Sequence, residues 1–317
     1  MTTKALRILL PILVAATLLP LSTAVAQDEP LKLCLAVHSD LAGSFWNVVD
    51  RGAKDAAALY GVDLTAGGSL DPVEQARLVE DCVAKGVDGI VVSLANPDAL
   101  RDSVKTAVDA GIPVITINSG ADVYRELGAL THVGQTEFVA GQGAGLRLND
   151  MGVGKVLCVI HEEGNIGLEA RCDGLTDTFA GEVERFNVAS TGVNDLAGTS
   201  STIQDKLASD SSIDAILALN PDIGIAARDA MAAAGTDQVL STFDLSPDVL
   251  QGILNGEIAF AIDQQQYLQG YLPIVFLVLY NENANAVGGG LPVLTGPGFV
   301  DASNAAAVIE LSAAGTR

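Results

Sequence analysis

The sequence predicts an α/β protein of two similar, doubly wound parallel-sheet lobes that are joined by a hinge, with a ligand cleft between them. Three observations predict this fold. Apolar strand patterns alternate with amphipathic helix patterns from residue 31 onwards, which is typical of parallel sheets with helices on both faces. A segment of the first half recurs in the second half, and polar residues collect where the strands end. In open parallel sheets the ligand binds at these carboxyl ends.

The first half contains predicted strands at residues 31–37, 89–94 and 112–118 and predicted helices at residues 45–60, 71–84 and 97–110. The first helix is predicted by apolar side chains that recur on one helical face. The second begins at Asp71-Pro72, an N-cap followed by a proline, with Glu74 in its first turn. Gly111 ends the third.

The second half repeats this scheme, with strands predicted at residues 155–160 and 238–243 and a helix at residues 167–180. Residues 213–222 echo residues 87–98, and each copy continues through a helix to an Ala-Gly pair and another strand. This internal similarity indicates two halves of similar fold.

We assign residues 27–134 and about 264–294 to an N-terminal lobe, and residues 135–263 and about 295–317 to a C-terminal lobe. We find no long flexible linker, so we expect short hinge segments. The apolar run at residues 270–280 contains Pro273 and is shorter than the roughly 20 residues of a membrane helix, which predicts a buried core helix.

Composition and charge indicate a globular protein and disfavour a nucleic-acid partner. The chain has 317 residues, 49% hydrophobic and 18% charged, which is typical of a globular protein. This length suits one large or two medium domains. The net charge of −22 repels phosphate backbones and anionic membranes, so we expect no nucleic-acid partner.

Residues 1–26 have the pattern of a secretory signal peptide. Basic residues precede an apolar run at residues 8–21, and small side chains at residues 24–26 provide a cleavage site. The run is too short for a membrane helix. Cys34 follows acidic residues beyond the cleavage site, so we set a lipoprotein anchor aside. We predict cleavage after Ala26 and a periplasmic mature protein.

Polar side chains follow most of the predicted strands. They are Ser39, Asp40, Ser93, Asn96, Asn118, Ser119, His161, Glu162, Asn220, Asp222, Asp244 and Gln264. Loops are polar in general, and Asn96, Asn220 and Ser246 precede prolines as helix caps do. Asp244 follows an apolar strand and is separate from the cap at Ser246, which makes it a stronger candidate for the cleft.

Phe45 and Trp46 form an aromatic pair at the first turn of a helix that follows a strand. Phe45 shares the helical phase of Val48 and Val49, so we expect Phe45 to pack inward and Trp46 to face the cleft. Aromatic faces pack against the C–H side of a sugar, while charged and amide groups bond its hydroxyls. The pair therefore favours a polyhydroxylated ligand.

A series of short motifs runs through the chain in a fixed order. They lie at residues 39–53, 75, 86–89, 111–118, 134–135, 140–141, 171–174, 220, 243–244, 264 and 270. In order and spacing they resemble the periplasmic sugar-binding proteins of the ribose-binding type, the soluble components of ABC transporters. The resemblance covers nearly all of the mature chain and implies a type I periplasmic binding protein fold.

This resemblance implies a monomeric binding protein, without cofactor, metal or catalysis, that delivers its ligand to an inner-membrane ABC permease. It also implies a set of ligand-binding residues. They are Ser39, Phe45, Trp46, Ser93, Asn118, Ser119, Arg171, Asn194, Asn220, Asp244 and Gln264. In this set Arg171 and Asp244 make charge-assisted hydrogen bonds to hydroxyls, and Asn220 and Gln264 add amide contacts.

The chain departs from the family pattern at several of these positions. Asn118 and Ser119 stand where ribose-type members often have an Asp–Arg pair, and Ser93 stands where they have an asparagine. Asn194 takes a place that is aromatic in some members. We therefore expect the ligand to be a small neutral pentose or sugar alcohol, and not an acid or a phosphate.

Four cysteines in an oxidising compartment allow three pairings. Free buried thiols are the alternative, because a core of this size needs no covalent links. If disulfides form, we expect Cys34–Cys82 and Cys158–Cys172, each within one lobe, because a bridge between lobes would resist hinge opening.

Other motifs fail on spacing. Residues 141–145 lack the dinucleotide pattern, residues 152–155 lack the phosphate-loop pattern, and His161 has no second histidine four residues on, so we expect no metal site. Two other functions stay open. One is a sugar-sensing component for a chemoreceptor or sensor kinase, and the other is a secreted carbohydrate-acting enzyme that uses Asp244 and Glu162.

Overall fold

Two six-stranded sheets form two lobes in the computed structural model, which describes residues 29–190 and 192–317. The predicted fold class is confirmed. The predicted signal peptide, residues 1–26, lies outside the described residues. In the part of the chain that the structure describes, no helix has the length and apolar character needed to cross a membrane.

The first lobe begins with β1 (Lys32–Val37), α1 (Trp46–Tyr60), β2 (Asp63–Gly68), α2 (Pro72–Ala84), β3 (Gly89–Ser93), α3 (Pro97–Asp109), β4 (Val114–Ile117) and β5 (Thr131–Gly134). Two later elements return to it, α9 (Gln266–Asn283) and β11 (Val293–Leu294). Its sheet has the order β11-β5-β4-β3-β1-β2, with all neighbours parallel. Helix α9 contains the predicted core helix and buries Ile274 and Leu277.

The second lobe contains α4 (Glu137–Asp150), β6 (Lys155–Ile160), α5 (Ile166–Thr178), β7 (Glu182–Asn187), α6 (Leu196–Ser209), β8 (Ala215–Ala218), α7 (Pro221–Ala234), β9 (Val239–Phe243), α8 (Pro247–Asn255), β10 (Phe260–Asp263), β12 (Gly298–Asp301) and α10 (Ile309–Ala313). Its sheet has the order β12-β10-β9-β8-β6-β7. The edge strand β12 runs antiparallel to β10, so this sheet is mixed where the sequence predicted only parallel strands.

The internal similarity seen in the sequence corresponds to the same position in each sheet. Residues 87–98 contain β3, residues 213–222 contain β8, and each of these strands pairs with the first strand of its lobe. Asn220 and Ser246 cap the helices that follow them, because their side chains accept bonds from backbone N–H groups. Asn96 makes no such bond.

Three chain crossings join the lobes, between β5 and α4, between β10 and α9, and between β11 and β12. The crossings are bonded to one another. The Thr295 N–H donates to the Gly134 carbonyl at 2.7 Å, and the Gln265 side-chain amide donates to the Thr295 carbonyl. The three segments therefore lie side by side, as the strands of a hinge do.

In each lobe one pair of helices packs at unusually close range because glycines lie at the crossing. In the second lobe, a Cβ at Gly141 would lie 2.1 Å from the Arg171 carbonyl oxygen, and a Cβ at Gly174 would lie 1.9 Å from that of Phe138. Helices α4 and α5 therefore touch through their backbones. Gly52 and Gly270 allow the same backbone contact between α1 and α9.

Both cysteine pairs are disulfide-bonded within a single lobe. Cys34 on β1 is joined to Cys82 on α2, with 6.2 Å between their Cα atoms, and Cys158 on β6 is joined to Cys172 on α5, with 6.1 Å. These separations are ordinary for disulfides. The second bridge ties α5 to the sheet one residue after Arg171.

Gly174→Ala tests the close crossing of α4 and α5. Alanine favours a helix over glycine by about 1 kcal/mol, yet here its Cβ meets a backbone oxygen that cannot move without separating the helices. We expect a net loss of about 1–3 kcal/mol in the free energy of unfolding, measured by urea denaturation. The control is Gly43→Ala, whose Cβ would have its nearest neighbour at 3.5 Å. Equal stability of both variants would contradict the packing.

Candidate ligand-binding cleft

The carboxyl ends of the two sheets face each other across a cleft. We call its innermost part the cleft floor, a cavity of about 30 Å³. The floor is lined by His38, Phe45, Trp46, Asn118, Ser119, His161, Glu162, Asn165, Leu168, Arg171, Leu219, Asn220, Asp244 and Gln264. Both lobes contribute, because His38 to Ser119 belong to the first and His161 to Asp244 to the second.

Arg171 is held in the floor by a buried ion pair with Glu137. The Arg171 Nε and Nη2 groups donate to the two carboxylate oxygens of Glu137 at 2.6 and 3.1 Å, and Nη1 donates to the Leu219 carbonyl at 2.9 Å. The guanidinium carbon also lies 4.2 Å from the centre of the Phe243 ring. An arginine has five N–H bonds, so two remain free to donate to a ligand.

A hydrogen-bonded chain runs from Asp244 to the opposite lobe. The Gln264 side-chain N–H donates to Asp244 Oδ1 at 2.8 Å, and Gln264 Oε1 accepts from Asn118 Nδ2 at 3.2 Å. Asn118 and Asp244 both have positive φ, 59° and 69°, at the ends of β4 and β9. Non-glycine residues adopt this conformation rarely, and it is common at functional sites. Asp244 lines the floor, and its Oδ1 is the oxygen that Gln264 occupies.

His38, at the end of β1, meets Glu162, at the end of β6, across the cleft. Nε2 of His38 lies 3.7 Å from Oε2 of Glu162, and Asn165 Nδ2 donates to that oxygen at 2.7 Å. On its other side His38 Nδ1 lies 2.7 Å from the Ser93 hydroxyl. Ser93 therefore orients the histidine from behind.

The aromatic pair lines the floor with both rings. Phe45 and Trp46 are 4% and 6% exposed, and their ring centres are 5.0 Å apart at 77°. Trp46 also packs edge-to-face on His38, with 4.8 Å between centres. The expectation that Phe45 packs inward while Trp46 faces the cleft is corrected, because both residues belong to the core cluster of the first lobe and both line the floor.

The floor opens into a larger space that we call the outer chamber, of about 490 Å³. It shares His38, His161 and Glu162 with the floor. Its other walls are Leu70, Pro72, Gln75, Ala95, Asn96, Glu163, Asn187, Ala189, Ser190, Gly192, Val193 and Asn194.

Most of the sequence-predicted residues line the floor, and three of them lie elsewhere. The floor contains Phe45, Trp46, Asn118, Ser119, Arg171, Asn220, Asp244 and Gln264. Asn194 lines the outer chamber instead, Ser93 lies behind His38, and Ser39 is buried and lines neither space. Asn220 uses its side-chain oxygen to cap α7, which leaves only its amide N–H groups for a ligand.

Sequence reasoning left His38, His161, Glu162 and Asn165 out of the ligand set. His38 directly follows β1, and His161 and Glu162 directly follow β6. The sequence shows these three as polar residues at strand ends. Glu137 gave no such signal, because it lies in the first turn of α4 and meets Arg171 only through the helix crossing.

Burial dominates the electrostatics of the cleft. It raises the pKa of Asp244 to about 7, although Arg171 and Gln264 oppose the rise. Burial also raises the pKa of Glu162 above its ordinary value and lowers that of His38 and of His161 to about 3, with Arg171 adding to the decrease. Both histidines are therefore neutral at neutral pH.

The cleft has the chemistry of hydrogen bonding to a neutral polar ligand. It offers free guanidinium N–H groups, a carboxylate oxygen, amides and aromatic surface within one space. Within residues 29–190 and 192–317, no three His, Cys, Asp or Glu side chains are grouped so that they could hold a metal ion.

Comparison with known proteins gives matches over most of the chain. A family model described as a periplasmic binding protein domain matches residues 35–283. The xylose/arabinose-binding protein XylF of Sulfolobus acidocaldarius is 27% identical over 281 residues, covering 80% of this chain and 67% of that protein. The ribose import binding protein RbsB of Haemophilus influenzae is 29% identical over 260 residues, covering 80% and 86%.

Among solved structures, a carbohydrate transporter from Acidothermus cellulolyticus 11B, crystallised in complex with myo-inositol, is similar to this chain. It superposes with a TM-score of 0.88 at 40% sequence identity, covering 91% of this chain and all of that one (100%).

Asp244→Asn tests the burial of this carboxyl. Because the folded-state pKa is raised from 3.8 to about 7, the protonated group stabilises the fold below pH 3.8, and this contribution is lost as the pH rises through 7. We expect the variant to gain stability relative to the wild type between pH 4 and 7, at up to about 1.4 kcal/mol per pH unit. Thermal melts measure it, with the exposed Asp237→Asn as control. A difference in stability between variant and wild type that does not change with pH would contradict the burial of this carboxyl.

Proposed function

Because the chain belongs to the family of periplasmic binding proteins, we propose that it captures a small neutral sugar or sugar alcohol and delivers it to an ABC permease in the inner membrane. The observation that carries this proposal is the set of unused hydrogen-bonding groups in the cleft floor. Two N–H groups of Arg171, Oδ2 of Asp244 and the Asn220 amide converge on one space beside Phe45 and Trp46.

These groups match the hydroxyls of a polyol. A hydroxyl both donates and accepts, so it can take a bond from Arg171 and give one to Asp244. Hydrogen bonds to charged groups contribute about 1.5–3 kcal/mol each. A ligand that lacks one hydroxyl leaves a buried polar group without a partner, which is how such a site selects among similar sugars.

Charge supports a neutral ligand. Among the described residues that line the floor, Arg171 is the one cation, and Glu137 already pairs with it through two hydrogen bonds. Glu162 and Asp244 line the same space. A phosphate or carboxylate on the ligand would face these two groups without a free cation. The neutral Asn118 and Ser119 add donors and acceptors and no charge.

We propose myo-inositol as the first ligand to test, because the similar carbohydrate transporter was crystallised with it. The signal pattern of residues 1–26 supports a periplasmic mature protein. Binding without turnover is the proposed activity, and the protein acts as a monomer that closes by hinge motion.

A thermal-shift screen across pentoses, hexoses, alditols and inositols tests the ligand class. A ligand at 100 times its Kd should add about 2.7 kcal/mol to the free energy of unfolding. We expect a neutral ring to shift Tm and its acidic or phosphorylated counterpart to bind at least tenfold more weakly by calorimetry. Tighter binding of the acidic form would overturn the ligand class, and consumption of the bound sugar would show an enzyme instead.

Asp244→Ala tests the role of the carboxylate. At pH 8, above the pKa of about 7, the loss of one charge-assisted hydrogen bond should weaken binding at least tenfold, at about 1.4 kcal/mol per decade. The fold should persist, because Asp244 ends a strand at the cleft. Calorimetry and thermal melts are compared with the exposed Asp237→Ala. If Asp244 only orders its loop, Tm will fall while the affinity stays the same.

A further inference from the structure

The outer chamber stays wide although the lobes already touch around the floor. The Ile166 N–H in the second lobe donates to the Ala95 carbonyl in the first at 3.1 Å, and Ser44 donates to Asp222 at 2.8 Å. The chamber of about 490 Å³ is thus part of the closed arrangement and is not the gap of an open hinge. Its volume falls in the range of about 300–1,000 Å³ that is typical of ligand pockets.

The chamber is continuous with the place where the ligand ring would bind. Glu162 and the two histidines line both spaces, so a ligand group leaving the floor would pass these side chains and enter the chamber directly. The floor itself is narrow, at about 30 Å³. The cleft therefore has a narrow inner part that both lobes line and an outer part with more room.

Two buried polar atoms at the chamber lack a hydrogen-bond partner among the described residues. They are Oε1 of Gln75, a residue 1% exposed, and Nδ1 of His161, a residue 6% exposed. Both residues line the chamber. Buried polar atoms of this kind usually have a partner, so both residues have unused hydrogen-bonding capacity at the chamber wall.

The other walls suit a sugar ring. Asn96, Asn187 and Asn194 present amides that can bond hydroxyls, and Leu70 and Pro72 form an apolar surface for the C–H face of a ring. The described lining residues include Glu162 and Glu163 but no lysine or arginine, which disfavours an anionic substituent.

We propose that the outer chamber binds a second sugar ring, so that this protein accepts a polyol or sugar ring with a glycosyl substituent. The proposal rests on the proposed function, because the first ring must bind in the floor. The proposed ligand is then a neutral glycoside or disaccharide, and the single ring is the smallest part of it that binds.

The test compares each ring with its glycoside by calorimetry, using myo-inositol with galactosyl-myo-inositol and D-xylose with xylobiose. For the ring that binds, we expect the glycoside to bind at least as tightly. If no ring of the thermal-shift screen and neither glycoside binds, the proposed function fails. If the ring binds and its glycoside does not, the function stands and the chamber proposal is overturned.

Ala189→Trp fills the chamber from the second lobe, away from the floor. We expect it to weaken glycoside binding at least tenfold and to leave the affinity for the single ring within twofold. Ala302→Trp, on an exposed turn outside the chamber, is the matched control. Should Ala189→Trp fail to fold, Leu70→Ala on the opposite wall should weaken the glycoside alone. Equal effects on ring and glycoside, or no effect on either, would overturn the proposal.

Discussion

The ion pair between Arg171 and Glu137 is the interaction on which the cleft depends. A guanidinium that is 4% exposed is costly to bury unless a carboxylate and further acceptors surround it. Glu137 supplies two oxygens and the Leu219 carbonyl a third, so three of the five guanidinium N–H groups are bonded within the protein. Burial disfavours the charged arginine, yet Glu137 outweighs it and the pKa of Arg171 is raised. The cation thus stays charged and fixed without a ligand.

Several features of the second lobe serve this pair. Glycines at the crossing of α4 and α5 bring the backbones together, so that Glu137 on one helix reaches Arg171 on the other. The disulfide at Cys172 ties the same stretch of α5 to the sheet. A rigid donor is favourable for binding, because a side chain that is already ordered loses less entropy when the ligand arrives.

Closure of the hinge completes the site. Gln264 bonds Asp244 in one lobe and Asn118 in the other, and Asn165 reaches both Ser119 and Glu162. These bonds between lobes use groups that also line the floor, so the ligand and the closed arrangement share the same hydrogen-bonding groups. In the proposed function binding and closure are coupled for this reason, and the permease distinguishes the closed form from the open one.

The sequence predicted two lobes, about half of the strands and the helix caps at Asp71, Asn220 and Ser246, because these follow from local periodicity and turn chemistry. It also predicted Asn118 and Asp244, since the strand-end rule depends only on topology. It missed Glu137, whose contact with Arg171 depends on a helix crossing, and it could not separate Asn194 in the outer chamber from the residues of the floor. Both cases depend on which distant segments of the chain lie close together in the fold, and local sequence patterns do not show this.

The measurement that tests this account most directly is the affinity of Glu137→Gln for the ring identified by the screen. Glu137 is not among the residues that line the floor, so it acts on a ligand through Arg171 and not by direct contact. The account predicts at least a tenfold loss of affinity in a variant that still shows a cooperative thermal melt, with partial recovery in Glu137→Asp. Unchanged affinity in the folded Gln variant would contradict it.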